Sequence, residues 1–466
     1  MATQQQISQP ASLLRQLGFV SATALVVSNM VGTGIFATTG FMAGDLADAR
    51  LILLVWFVGA LFALCGALSY SELGINFPSS GGEYVYLTRA FGPTWGFMTG
   101  WVSFFAGFSA PIAAAALAFS DYVGYFFPVF RQANAQFTIG SGALSLQVGG
   151  AQLLASALIA GFTILNCLGL GRAAKVQNAL TATKVAVIVA FVILGFAAGT
   201  GSWSHFSQPA VRTSTVSLPV QFMISLLWVM VGYSGWNAAT YIAEEVKKPE
   251  RTLPMALAVG TCLVTALYLG LNLIFIYATP LESMKGVLAV GALSASNLFG
   301  PQVAGVFAAL MAIGITSTVS AEVTVGPRVY YAMAKNRAFF KIAAWVHPRW
   351  HTPVPAIVAQ GLCAMLMTLT PFPQLVVYIG FSLTFFTVMS VASLFVLRRR
   401  QPKWQTLRPV SFLYPLIPGA YILVGAGMIT YGVIWQPKAS LTALATIAVG
   451  AAVYHFGPAK ALARDP

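Results

Sequence analysis

Twelve predominantly apolar stretches follow one another along this chain and leave little choice of fold: 17–44, 50–75, 94–127, 148–171, 173–199, 217–243, 254–280, 299–334, 354–371, 374–397, 412–435 and 439–457. Each is near or above the ~20 residues that carry a helix across the roughly 30 Å of bilayer hydrocarbon. Inside hydrocarbon the backbone must satisfy its own hydrogen bonds, so runs of this length cross as helices. Of the 466 residues, 58% are apolar and only 8% charged, against about a quarter charged in soluble domains. No connection between the runs is long enough to hold a soluble domain. The expected fold class is an all-α polytopic membrane protein with about 12 transmembrane helices.

Two of the runs are interrupted. Gly32-Thr33-Gly34 breaks the first and Gly232-Tyr233-Ser234-Gly235 the sixth. Unwound backbone survives at bilayer depth only where it is packed in protein or lines a cavity. A glycine cluster also serves close helix packing, so one break alone would not decide. Two at matching positions, with polar neighbours (Ser28, Asn29 and Thr33; Ser234, Trp236 and Asn237), point to the substrate site of a secondary transporter. The sixth run lies five runs after the first, and five is odd. It therefore enters from the opposite face, antiparallel to the first, as an inverted-topology repeat requires. The expected organisation is a tail (1–16), a core (17–400) made of repeats 17–199 and 217–400, two added helices within 401–458, and a tail (459–466). No sequence identity between the halves is visible by eye. A dinucleotide-binding reading of Gly32-Thr33-Gly34 fails, since the third glycine, the preceding strand and the downstream acid are all missing.

The formal charge of +14 is topological rather than a nucleic-acid footprint. With twelve spans, both termini and alternate loops share one side. Nineteen of the 25 lysines and arginines lie on it; Arg50, Arg131, Arg212, Lys285 and Lys438 lie opposite, and Lys184 lies within a span. The positive-inside rule then puts both termini in the cytoplasm, and the expected location is the plasma (inner) membrane. The polar stretch 1–10 and the long, uncleavable first run argue against a signal peptide. Cys65, Cys167, Cys262 and Cys363 all fall inside runs without CxxC spacing, so neither disulfide nor metal site is expected. No HExxH, metal cluster or Ser–His pairing signal appears, so no enzyme and no cofactor are expected. A passive channel, the rival class, would repeat a pore-lining motif, and none is found.

The strings SNMVGTGIF (Ser28 to Phe36), LSYSELGINFPSSGGEYVYL (Leu68 to Leu87), GYSGWNAATYIAEEVKKPERTLP (Gly232 to Pro254), GPRVYYAMA (Gly326 to Ala334) and HPRWHTPVPAIV (His347 to Val358) resemble the amino acid–polyamine–organocation superfamily. Within it they are most similar to the L-type amino acid transporter family and its bacterial relatives. The resemblance implies a leucine-transporter-type, five-plus-five inverted repeat, with substrate held between broken helices 1 and 6. A broken helix offers donors to a carboxylate and acceptors to an ammonium without any charged side chain. The amides of Thr33 and Gly34 are expected at the substrate carboxylate, with Gly32 allowing a tight turn. The carbonyls of Met30, Val231 and Ser234 match the family positions that accept from the ammonium. Gly232 belongs to the same break, and Asn237 matches a polar position just beyond it. The family often places a large aromatic lid where this chain has Val231, which leaves the gating residue open. Run three carries no acid before Asp121, which favours a neutral L-amino acid over a cationic amino acid or polyamine. Some family members are disulfide-linked to a single-span glycoprotein through the loop after span three. Pro128 to Gly149 holds no cysteine, so no disulfide-linked ancillary subunit and function as a monomer are expected.

Two ionisable residues fall deep inside runs. Lys184 lies nine residues past Lys175, about 14 Å further in at ~1.5 Å per residue, too deep to snorkel out. Such residues are functional by default. In sodium-independent relatives a lysine at this position stands where a second sodium would sit. The resemblance thus implies an ammonium bonded to the unwound first helix and to a hydroxyl of span eight, Ser320 first among them. A share in proton coupling stays open. Glu322 lies six residues before Arg328, about 9 Å further in, where relatives carry an uncharged residue. A proton carrier, a structural partner for a base and an uncharged buried carboxyl are all open. The charges from Glu244 to Arg251 are either an inner gate paired with Arg15 or Arg89, or a solvated helix end. Together these expectations describe a sodium-independent carrier of neutral L-amino acids working by alternating access, as exchanger or proton symporter.

Overall fold

The computed structural model describes residues 13–456 apart from Thr33, 140–144, Pro209, Leu288 and Gln436. Helices α1 (Phe19–Met30) and α2 (Gly34–Asp45) are the halves of the first span and meet at a 43° bend. Helix α3 (Ala49–Asn76) returns across the membrane. Its start is fixed by the Asp48 carboxylate, which accepts from the N–H groups of Arg50 and Leu51 at 2.7 and 3.0 Å, satisfying donors the helix cannot. The short α4 (Glu83–Phe91) leads into α5 (Pro93–Val123), followed by a small antiparallel hairpin of β1 (Phe137–Ile139) and β2 (Leu146–Val148). Helices α6 (Gly150–Cys167) and α7 (Leu170–Ala198) complete the first half.

The second half begins with α8 (Leu218–Tyr233), which breaks and resumes as the single turn α9 (Ala238–Tyr241). It continues through α10 (Pro249–Ala278), the short α11 (Val290–Phe299), α12 (Pro301–Lys335), α13 (Val354–Met367) and α14 (Phe372–Arg400). Two more helices, α15 (Leu416–Trp435) and α16 (Pro437–Phe456), close the chain. Among the described residues, eight helices are long and apolar enough to cross a membrane, nine when α1 and α2 count as one span. The other three apolar runs of the sequence appear as α8–α9, α13 and α16. The protein is an all-α, multi-pass membrane protein.

Exchanging the two halves maps contacts onto contacts. Helix α1 packs on α10 as α8 packs on α3, and α7 packs on α12 as α14 packs on α5. The counterparts α3 and α10, α5 and α12, and α6 and α13 also touch one another. The sequence of the two halves, unreadable as a repeat by eye, does keep one signature. Phe91-Gly92-Pro93 and Phe299-Gly300-Pro301 join the short helix to the following long one in each half. Gly92 has φ 98° and ψ 172°, Gly300 φ 90° and ψ 167°. Only glycine adopts that backbone readily, and proline suits the first position of a helix.

The basic face is knit shut. Leu17 pairs in parallel with Val246, and Ser80 pairs antiparallel with Ile242. Buried Arg328 donates to buried Glu245 at 2.7 and 3.3 Å, while Lys335 meets Glu244 at 3.3 Å. This corrects the expectation of Arg15 or Arg89 as partners of the acidic pair; the cations instead come from α12. A charge placed at the end of span six is held by whichever helix end packs on it, and α12 ends there.

Candidate functional site

The two breaks touch each other through glycine. A Cβ on Gly34 would stand 2.7 Å from the Cα of Gly232, so α2 begins against bare backbone of the second break. On the other side Gly235, with φ 97°, lies where a Cβ would stand 2.7 Å from Asn29. Gly32 makes the expected turn, but does not need to be glycine for it. Its N–H does close a tight turn onto the Met30 carbonyl at 2.8 Å, but its φ is outside the left-handed region and a Cβ would meet only the Thr318 methyl at 3.6 Å. The steric need for glycine therefore sits at 34 and 235. Thr33 lies outside the described residues.

The carbonyls assigned to the substrate ammonium are not bare. The Tyr268 hydroxyl of α10 lies 2.6 Å from the Met30 carbonyl and 2.7 Å from that of Gly232, and donates its one proton to either. The Val231 carbonyl accepts from the Ser234 hydroxyl at 2.8 Å and the Ser234 N–H at 3.2 Å. The Met30 and Val231 carbonyls, expected to accept from the substrate ammonium, thus already hold donors here. Buried carbonyls freed by a break take the nearest donors, and a substrate ammonium would have to displace them.

Lys184 is buried on α7 at 3% exposure. Its ammonium donates to the Val31 carbonyl at 2.5 Å and to the Thr318 hydroxyl at 2.8 Å. Thr318 in turn donates to Val31 at 3.0 Å. The unwound end of α1 is thus pinned to α12 through a lysine from α7. The hydroxyl is Thr318, not Ser320, whose buried Oγ has no protein partner. Positions 318 and 320 lie on opposite faces of a helix of ~3.6 residues per turn.

A small cavity of about 70 Å3 opens beside the second break, below the ~300–1,000 Å3 of drug-sized small-molecule sites. Asn29, Val231, Ser234 and Asn237 line it. Its far wall is α5, which widens into a π-helical segment over Ser103–Ser109. Pro111 explains the widening locally, since it has no N–H to return to Gly107, and both residues face the cavity. Val231 packs under α14, where a Cβ on Gly380 would stand 2.9 Å from its side chain. Asn237 turns away to donate to Glu83 at 3.0 Å and to the Tyr241 hydroxyl at 3.1 Å. Glu83, 2% exposed, also accepts from Tyr70 at 2.8 Å, a network the sequence did not announce. Glu322 lines the cavity too, at 8% exposure. Among the described residues it makes no ion pair within 4 Å, although Lys184 interacts with it electrostatically.

Broken helices that meet back to back beside a cavity fit the comparisons with known proteins. The sequence profile of the family described as amino acid permease matches residues 17–454. The chain belongs to the amino acid permease family, in the APC superfamily. This permease is similar to the large neutral amino acids transporter small subunit 2 of Mus musculus, 29% identical over 453 residues, 96% of this chain and 81% of the relative. It is 29% identical over 433 residues to the b(0,+)-type amino acid transporter 1 of the same species, covering 91% and 84%. The serine/threonine exchanger SteT of Bacillus subtilis (strain 168) is 27% identical to the permease over 430 residues, covering 90% and 92%. All three are, by name, transporters or exchangers of amino acids.

Proposed function

We propose that this permease is a sodium-independent carrier of neutral L-amino acids that works by alternating access, as an exchanger. The observation that carries the sodium claim is the Lys184 ammonium between the Val31 carbonyl and the Thr318 hydroxyl. Those oxygens are what a small hard cation would need, and the lysine Nζ occupies them. Exchange is supported by the relative that is by name an exchanger; proton symport is the variant of the same reading. The neutral cargo rests on a cavity wall in which α5 contributes Gly107, Phe108 and Pro111 rather than an acid. A second cargo, a cationic amino acid, is favoured by one observation, the cavity-facing Glu322.

The substrate backbone would sit between the two breaks, its carboxylate near the start of α2 and its ammonium replacing the Tyr268 or Ser234 donors. The core is assigned to 17–400 and the last two helices to an appendage. Both termini are assigned to the cytoplasm of a plasma (inner) membrane, on the skew of lysines and arginines. The relative from mouse is by name a small subunit. This chain has no cysteine between Pro128 and Gly149, and is assigned independent function without a disulfide-linked partner. The test is uptake of labelled amino acids into proteoliposomes holding the purified chain alone, across a panel of twenty, with and without sodium and proton gradients. Saturable uptake of neutral amino acids in sodium-free buffer is expected. A requirement for sodium, or for a second protein, would overturn the corresponding part.

A further inference from the structure

Glu322 interacts electrostatically with Lys184 but has no ion pair within 4 Å among the described residues. It stands on α12 one helical turn beyond Thr318, and its Oε2 is buried with no protein hydrogen bond. A buried carboxyl oxygen left bare costs free energy, so its position at a cavity wall calls for a donor that arrives there. Among the described residues lining the cavity it is the one with a charge-bearing side chain, and the lining is mixed, with Phe108, Met230 and Leu383 beside Asn29, Ser234 and Thr384. The sign of the incoming group is constrained by Lys184. The Lys184 side chain already sits on Thr318, one turn away, so a cationic side chain would meet a second base as well as the carboxyl. An uncharged donor would not.

We propose that Glu322 accepts a hydrogen bond from the side chain of the substrate, so that this permease selects neutral amino acids bearing a hydroxyl or amide over their aliphatic isosteres. This rests on the proposed function, in which the cavity receives an amino acid side chain. A site built around a polar acceptor discriminates strongly, because an aliphatic side chain leaves that acceptor buried and bare. The carboxyl keeps an acceptor oxygen whether or not it holds a proton.

The test is competition between threonine and valine, near-isosteres that differ by the hydroxyl, in proteoliposomes with the purified chain. Serine against alanine and added lysine serve as companions. Threonine is expected to outcompete valine by about 10- to 100-fold in apparent affinity, the range for leaving a buried acceptor unsatisfied. Glu322→Met, similar in size without the acceptor, should bring that ratio to within about threefold of unity, while Glu322→Gln should keep most of it because its amide oxygen still accepts. A wild-type ratio near unity, or lysine outcompeting threonine, overturns the proposal. So does a ratio that stays intact in Glu322→Met while Glu322→Gln loses proton-driven accumulation, which would make Glu322 the proton carrier. Should Glu322→Met fail to fold, the wild-type ratio and Glu322→Gln still decide. Transport of amino acids without threonine preference sinks this inference alone; transport of none sinks the proposed function with it.

Discussion

A lysine deep inside an apolar run, as Lys184 is, must find acceptors at depth, and the break in span one is the place where backbone acceptors are released. Its carbonyl partner, Val31, follows from that logic. Its hydroxyl partner does not, because nothing in the sequence reports the rotation of α12 about its axis, and Thr318 rather than Ser320 turns inward. Tyr268 is hidden for a related reason. In the run YLGLNLIF an aromatic looks like packing material, and only the tertiary fold brings its hydroxyl between two broken helices. Lys184→Ala is expected to cut the initial rate of uptake by about tenfold or more, since hydrogen bonds from a charged donor are worth about 1.5–3 kcal/mol each. Proteoliposome uptake normalised to folded, monodisperse protein checks it. An unchanged rate would remove the lysine from the working parts.

At the scale of elements, glycine clusters locate both breaks, but the sequence does not distinguish glycines that permit a turn from glycines that permit a contact. Gly32 makes the tight turn without needing to be glycine, whereas Gly34 and Gly235 are where two helices meet through bare backbone. A larger residue at 34 does more than crowd the expected carboxylate position: through the contact with Gly232 it would push the broken helices apart. Gly34→Ala should therefore destabilise by about 1–3 kcal/mol, the usual range for overpacking, and abolish transport. Gly32→Ala should be nearly silent in stability. Thermal unfolding in detergent compares the two, and equal melting temperatures for them would contradict the packing described. The π-helical segment of α5 is partly legible, since Pro111 marks a missing donor, yet the widening depends on what α5 packs against. The network around Glu83 is not legible at all: an acid beside Gly81-Gly82 reads as a loop charge until Tyr70 and Asn237 close on it.

Across the whole molecule, the parity of the spans makes the inverted repeat readable, because an odd number of crossings fixes orientation whatever the sequence does. The contact pattern between the halves, and the shared Phe-Gly-Pro junctions, express that repeat in three dimensions. The basic face is closed here by Arg328 with Glu245 and by Lys335 with Glu244. Alternating access, as proposed, would open that face in another state, so these pairs would have to break and re-form in each cycle. The exposed pair contributes little; the buried one is the stronger latch. The measurement that tests alternating access most directly is counterflow. Vesicles holding the purified permease are preloaded with an unlabelled neutral amino acid and diluted into sodium-free buffer with a trace of the labelled form. The expected result is a transient accumulation of label above equilibrium, dependent on preloading and unaltered when sodium is added. A flux that neither saturates nor responds to preloading, or an overshoot that appears only with sodium, would contradict it.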